Sequence, residues 1–353
     1  MTSRERVLTT FDHREPDRVP AWCGASPEFW ANAKRTLGID DDEALRQRFG
    51  DDFRRVSAVY PAPAEPLPEG VDSRTVFGID RRGIGYGQPF SHPLEYTGEH
   101  ALSLLDRARE YPWPDPATVD VSHIRGEAES YGGEYAILGG DWSPFWHDAI
   151  DLLGMEGLYM AMYDAPELVD LVFEGIVDFY AEVSRRTFEA AADVIDIFFI
   201  GNDFGAQNGP LLGEKLFRRF LVPHLARLVA MGHDYGLKVM LHCCGGIAPL
   251  IPAMIEIGVD GLHAVQSCCA GMNLAELKSQ FGEAMVFNGA IDSQHILIEA
   301  TTALVRERTR EVLRIMMPGG GYIAGASHDY ILEETPVENV VAMFDTVREF
   351  GRY

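Results

Sequence analysis

The sequence predicts an α/β fold, a (β/α)8 TIM barrel with an N-terminal-half excursion over the barrel mouth. Short runs rich in Val, Ile and Phe alternate with longer segments of helical period, the mark of repeated βα units around a parallel sheet. The runs give about eight candidate strands, the number that closes such a barrel. A length of 353 residues suits one barrel with excursions, so residues 1–353 are expected to form one domain.

In chain order the candidate strands are Val19–Cys23, Phe53–Val59, Tyr135–Gly139, Val194–Ile200, Lys238–Cys243, Gly261–Val265, Ala284–Asn288 and Tyr322–Ala326. The helices between and after them are expected at Pro166–Ala191, Leu212–Tyr235, Pro249–Ile257, Leu274–Phe281, Ile296–Met316 and Val337–Phe350. In Leu212–Tyr235, Phe217, Phe220, Leu221, Leu225 and Leu228 recur at three- and four-residue spacing and define one buried stripe. Thr335 before Pro336, with Glu338 in the first turn, marks the start of the last helix. Residues 60–116 interrupt the rhythm: a proline-rich stretch, YPAPAEPLPEG, precedes TVFGIDRRGIGYG, which reads as a hairpin turning near Asp80 to Gly83.

Composition narrows the function. No window reaches ~18 uninterrupted apolar residues, and the charged start lacks the apolar core of a signal peptide, so a cytoplasmic protein is expected. A net charge of −24 with no basic cluster argues against nucleic acid and anionic membrane surfaces as partners. Four of the cysteines fall in adjacent pairs, Cys243–Cys244 and Cys268–Cys269, which suits metal or core roles better than a disulfide framework.

Barrel enzymes place reactive groups where strands end. The densest constellation is LHCCGG, Leu241 to Gly246. Side chains alternate along a strand, so His242 and Cys244 project to one side and Cys243 to the other. Imidazole beside thiolate suits Zn2+; a buried strand that merely ends in His and Cys is the plain alternative. Asn202 and Asp203 follow VIDIFFIG and are expected at the mouth with Gln207, as substrate contacts and, for Asp203, a catalytic role or a helix cap. Gln266 ends another strand and either binds a ligand or braces its loop. Trp142, with Phe145 and Trp146, offers a flat wall for a ligand or a core cluster. His147 could compete as a metal ligand but has no second His or Cys at ligand spacing in the sequence; His263 reads as an interior histidine, Cys268 and Cys269 as packing residues, and Asp292 and His295 as mouth residues.

The run LHCCGGIAPLIPAMIEIGVDGLHAVQ, then AGMNLAELKSQFGEAMVFNGAIDSQHIL and GGGYIAGASHDYILEETPVENV, resembles the uroporphyrinogen decarboxylase superfamily, closest to its corrinoid-dependent methyltransferase-like branch. GNDFGAQNGPLLGEKLFRRFLVPHLARLV and YPWPDP resemble the same family. The resemblance implies a barrel whose HxC pair and a distant cysteine hold a zinc ion that activates a thiol. It also implies a corrinoid (cobalamin) cofactor, carried by a partner protein, as methyl donor. His242 and Cys244 match the pair, and His328 in GASHDY falls where the third ligand, a cysteine, is expected. The function so implied is methyl transfer to a zinc-activated thiol.

Two rivals remain. A porphyrinogen-type decarboxylase, a lyase, needs a carboxylate such as Asp51 or Asp52, but no arginine lies between Arg18 and Arg35 to recognise a polycarboxylate. A non-catalytic subunit that binds a corrinoid partner would not require HxC with a matching histidine.

Overall fold

A computed structural model describes residues 1–83 and 87–353. Seven parallel strands follow chain order around a curled sheet: β1 (Phe53–Arg55), β2 (Ala136–Gly139), β3 (Ile197–Gly201), β4 (Lys238–His242), β5 (Gly261–Val265), β6 (Val286–Ile291) and β7 (Tyr322–Ala326). Residues 20–22 fill the eighth place. Ala324 N–H donates to Pro20 O at 2.8 Å and Trp22 N–H to Ala324 O at 2.9 Å, while on the other side Asp52 N–H donates to Ala21 O at 2.9 Å. The sheet thereby closes as the expected barrel.

The strands are apolar on both faces because both are covered. Phe53, Ala136, Leu138, Ile197, Phe199, Met240, Val286 and Ile323 point inward and pack with Trp22. Phe198, Ile200, Val239, Leu241, Leu262 and Phe287 point outward to the helices. By the same alternation Arg55, Gly201, His242, His263 and Asn288 belong to the inner face.

Just before β1, at the N-terminal end of the barrel, Asp52 is fully buried. Its carboxylate accepts from Arg6 and Arg18 at 2.8 Å each, from the Ser3 hydroxyl at 2.6 Å and from Ala21 N–H at 2.8 Å. This ion-paired joint seals the seam between residues 20–22 and β1. The chain ends meet beside it, where Val19 N–H donates to Gly351 O at 2.7 Å and Arg18 bridges Arg352.

Helices Pro166–Ala191, Leu274–Phe281 and Val337–Phe350 lie where expected. Three expectations need correction. The helix expected at Leu212–Tyr235 runs from Glu214 to Asp234 with a π-turn at Phe217–Leu221, because Pro223 has no N–H to continue the α-ladder. Ile296–Met316 is two pieces, Ser293–Ile298 capped by Asp292 and Thr302–Met316 capped by Thr301. The last helix has Pro336, not Thr335, at its N-cap, with no side-chain capping bond.

Residues 60–116 leave the barrel rhythm as expected, but the hairpin differs. Asp80–Arg82 is the central strand of a three-stranded antiparallel sheet between Ser73–Arg74 and Gln88–Pro89, so the first turn falls at residues 75–79. Residues 84–86 of the expected hairpin lie outside the described residues. Arg81 fastens this sheet to helix Phe145–Leu153 through Asp151 at 2.5 Å and Asp148 at 3.3 Å, and the Tyr60 hydroxyl donates to Asp141 beyond β2. The excursion is thus anchored on the mouth side of β2. Among the described residues no helix is long and apolar enough to cross a membrane.

Candidate metal centre

β4 delivers His242 to the inner face at its C-terminal end, directly beside Gly201 of β3. Gly201 is required there because Trp142 lies across it: a Cβ would come within 2.0 Å of the indole. The Trp142 ring in turn packs on His242, with centroids 5.4 Å apart. After His242 the chain turns at Gly245, whose φ of +94° and 2.6 Å approach to the Gly205 backbone exclude a side chain.

Asp203, in the loop after β3, reaches both residues of the pair. Its Oδ1 lies 3.2 Å from His242 Nε2 and 3.1 Å from Cys244 Sγ, and also accepts from Cys244 N–H at 3.1 Å. Its Oδ2 lies 3.6 Å from His147 Nε2. Ligand atoms of Asp203, His242 and Cys244 fall within 4.8 Å of one another. Burial opposes the charge of Asp203, but hydrogen bonds from His147 and His242 hold its carboxyl far below the usual range. Burial likewise opposes a charge on His242, yet Asp203 and Asp329 raise its pKa. The Cys244 thiol is pushed far up by burial and then by the Asp203 charge, so at neutral pH it keeps its proton until a cation favours the thiolate.

Behind His242 stands His263, its neighbour in register on β5. The two Nδ1 atoms are 2.8 Å apart. His263 is fully buried, and its Nε2 has no hydrogen-bond partner, the nearest carboxylate being Asp329 with Oδ1 at 3.8 Å.

The other expected site residues divide. His328 stands outside the clusters of potential ligands among the described residues, and its Nδ1 accepts from Tyr330 N–H at 3.2 Å within its own loop. The third group beside His242 and Cys244 is therefore Asp203, in place of the expected His328. Asn202 is fully buried, and instead of facing a ligand it braces the loop after β2, accepting from Trp146 N–H at 2.9 Å and donating to Ser143 O at 3.0 Å. Gln266 braces the cysteine turn by accepting from Gly245 N–H at 2.6 Å. Gln207 is exposed at the rim, donating to Gln294 at 3.3 Å. Phe145 and Trp146 are core residues, whereas Trp142 borders the site. Asp292 caps Ser293–Ile298 and pairs with His295 at 2.9 Å, near the exposed Cys268. Cys269 and Cys243 are buried.

Of the two carboxylates considered for decarboxylation, only Asp51 lines the cavity shared by Trp22, Arg55 and Asp329. Asp52 belongs to the seam at the opposite end of the barrel. Asp51 is pushed up to about 6 by burial and is held by Arg46 at 3.0 Å and Phe53 N–H at 3.2 Å.

Sequence reasoning missed Arg55 and Trp22. Arg55 ends β1 and lies 5.3 Å from the ring centroids of both Trp142 and Phe199, and its charge acts on the Asp141 carboxyl. Trp22 Nε1 is buried without an acceptor. Both line a cavity of about 280 Å³ that also reaches Asp329 and Tyr330. The available signal was the alternation that places Arg55 on the same face as Phe53.

The profile of the uroporphyrinogen decarboxylase (URO-D) family matches residues 119–350. The chain belongs to this family. A uroporphyrinogen decarboxylase from Koribacter versatilis (strain Ellin345) is 24% identical over 277 residues, covering 76% of this chain and 72% of that protein. The solved structure of a methyltransferase from Methanosarcina mazei superposes with a TM-score of 0.65 over 99% of each chain, at 20% identity. At that identity the likeness speaks for the barrel alone.

Proposed function

We propose that this URO-D family protein is a zinc-dependent methyltransferase that moves a methyl group from a corrinoid, carried by a partner protein, to a thiol acceptor. The supporting observation is the convergence of His242 Nε2, Cys244 Sγ and the Asp203 carboxylate at the C-terminal ends of the strands. Nitrogen, sulfur and oxygen donors from three side chains fit Zn2+ and leave a fourth position for substrate. Zinc bound there supplies a Lewis acid that stabilises a thiolate at neutral pH. Asp203, His242 and Cys244 would hold that metal, and in a transfer at this site the new S–CH3 bond would form as the thiol proton leaves to solvent and the donor keeps the electron pair of the broken bond. Around this centre Trp142 walls one side, while Arg55 and the Trp22 indole offer N–H donors to a polar or anionic part of the acceptor.

Decarboxylation is the second reading, favoured by the name of the Koribacter relative. It requires a carboxylate at the mouth, where Asp203 and Asp329 stand, with Asp51 lining the neighbouring cavity. Asp52 is unsuited because its oxygens are filled by two arginines, a hydroxyl and a backbone N–H.

The test is the metal content of protein purified without added metal, beside Asp203→Ala, His242→Ala, Cys244→Ala and His328→Ala. The expected result is about one zinc per chain, as in three-ligand catalytic sites, lost in the first three variants and kept in the fourth. Loss in His328→Ala with retention in Asp203→Ala would restore His328 as third ligand. No zinc in the parent, even after its addition, would sink the transferase mechanism.

A further inference from the structure

We propose that His263, backed by Asp329, is a positioning residue that fixes the orientation and tautomer of the metal ligand His242. The proposal rests on the zinc reading above. A metal-ligating histidine nearly always uses its second ring nitrogen to hydrogen-bond an acceptor behind it, which holds the ring in place and raises its basicity. His242 has such a partner, but it is another imidazole, His263, with the two Nδ1 atoms 2.8 Å apart.

That choice has a chemical consequence. One of two facing Nδ1 atoms must carry the proton and the other must be bare. Without a metal, His242 directs Nε2–H to Asp203 at 3.2 Å, and either Nδ1 can carry the proton it shares with His263. His263 Nε2 has no hydrogen-bond partner there, with Asp329 standing off at 3.8 Å. With His242 Nε2 committed to a metal, the proton of His242 must sit on Nδ1 and be donated to His263. His263 then carries its own proton on Nε2, facing Asp329, whose carboxylate is the acceptor this tautomer needs. A fully buried nitrogen without a partner is unfavourable, and the metal-bound arrangement turns this one into a donor facing Asp329.

Geometry supports the arrangement independently. His242 and His263 are in register on adjacent strands, so the contact is set by the sheet and not by a loop. His263 is clamped between Trp22 and Phe199, with ring centroids at 4.7 and 5.3 Å. The ring behind the ligand therefore has little freedom to turn.

The experiment measures zinc affinity of the full chain by competition with a chromophoric chelator, for the parent, His263→Phe and His263→Asn. Phe keeps the ring volume but removes the acceptor, whereas the Asn amide oxygen can take the place of Nδ1. The expected result is about 10–100-fold weaker binding in His263→Phe and substantial recovery in His263→Asn. In parallel, parent protein labelled with 15N-histidine should show, with zinc bound, His242 protonated at Nδ1 and His263 at Nε2. Equal affinity in parent and His263→Phe would overturn the proposal, as would a zinc-bound state with the His263 proton on Nδ1. The second readout needs no variant, so a substitution that fails to fold leaves the idea exposed to refutation. A parent that binds no zinc at all would instead remove the metal reading itself.

Discussion

Asp148 gives the fold a measurable dependence on pH. It lies one residue after His147 on helix Phe145–Leu153, fully enclosed, with the Tyr180 hydroxyl donating at 2.6 Å and Arg81 at 3.3 Å. Burial pushes its carboxyl from 3.8 up to about 7, against the pull of Tyr180 and Arg81. A raised carboxyl pKa means that the folded state holds the proton more tightly than the unfolded chain. The stability this contributes is fully present below the unfolded value and is lost as pH rises through the folded one. At about 1.4 kcal/mol per unit, the loss between about pH 5.5 and about pH 7 is roughly 2 kcal/mol. Asp148→Asn retains an acceptor for Tyr180, leaves Arg81 its bond to Asp151, and cannot titrate. The stability gap between parent and variant, measured by urea unfolding at several pH values, should therefore shift by roughly 2 kcal/mol in the variant's favour across that interval. A gap that stays constant with pH would refute the reasoning, whichever protein is the more stable.

Further outcomes follow from packing and ion pairing. Gly201→Ala places a methyl 2.0 Å from the Trp142 ring and is expected to destabilise by about 1–3 kcal/mol, with a shift in tryptophan emission; an unchanged spectrum and midpoint would count against the close approach. Asp52→Ala removes the shared partner of Arg6 and Arg18 at the seam, leaving Arg6 its pair with Asp17, and should remove about 3 kcal/mol, read as a lower Tm, while zinc per folded chain stays as in the parent. Arg81→Ala unfastens the antiparallel sheet from Asp148 and Asp151, so limited proteolysis should cut residues 60–116 faster than in the parent. Unaltered cleavage would mean that apolar contacts alone hold the excursion.

The sequence made the barrel legible because buried parallel strands leave continuous apolar runs, as in IFFIG of β3, and because the alternation of β4 puts His242 and Cys244 on one side. What it did not disclose depends on loops and on register. Asp203 was recognisable as a carboxylate after a strand, but its 3.1 Å approach to Cys244 comes from the fold of the β3 loop. His328 was chosen from the spacing of a resemblance, and that spacing says nothing of how the loop after β7 folds back on Tyr330. His263 looked like an interior histidine, which it is; its importance appears only once β4 and β5 are aligned. Asn202 shows the same limit, since a polar residue at a strand end can brace the neighbouring loop, as it does here through Trp146 and Ser143.

The meeting of residues 18–19 with 351–352 makes the order of strands a cycle. A short linker joining the two ends, with new ends opened at the exposed turn of residues 97–100, should give a circularly permuted chain with the same neighbours around the sheet. It also bears on synthesis. Residues 20–22 emerge first but find one of their two flanking strands only when β7 has been made, so an early segment must wait for nearly the entire chain before its place is ready.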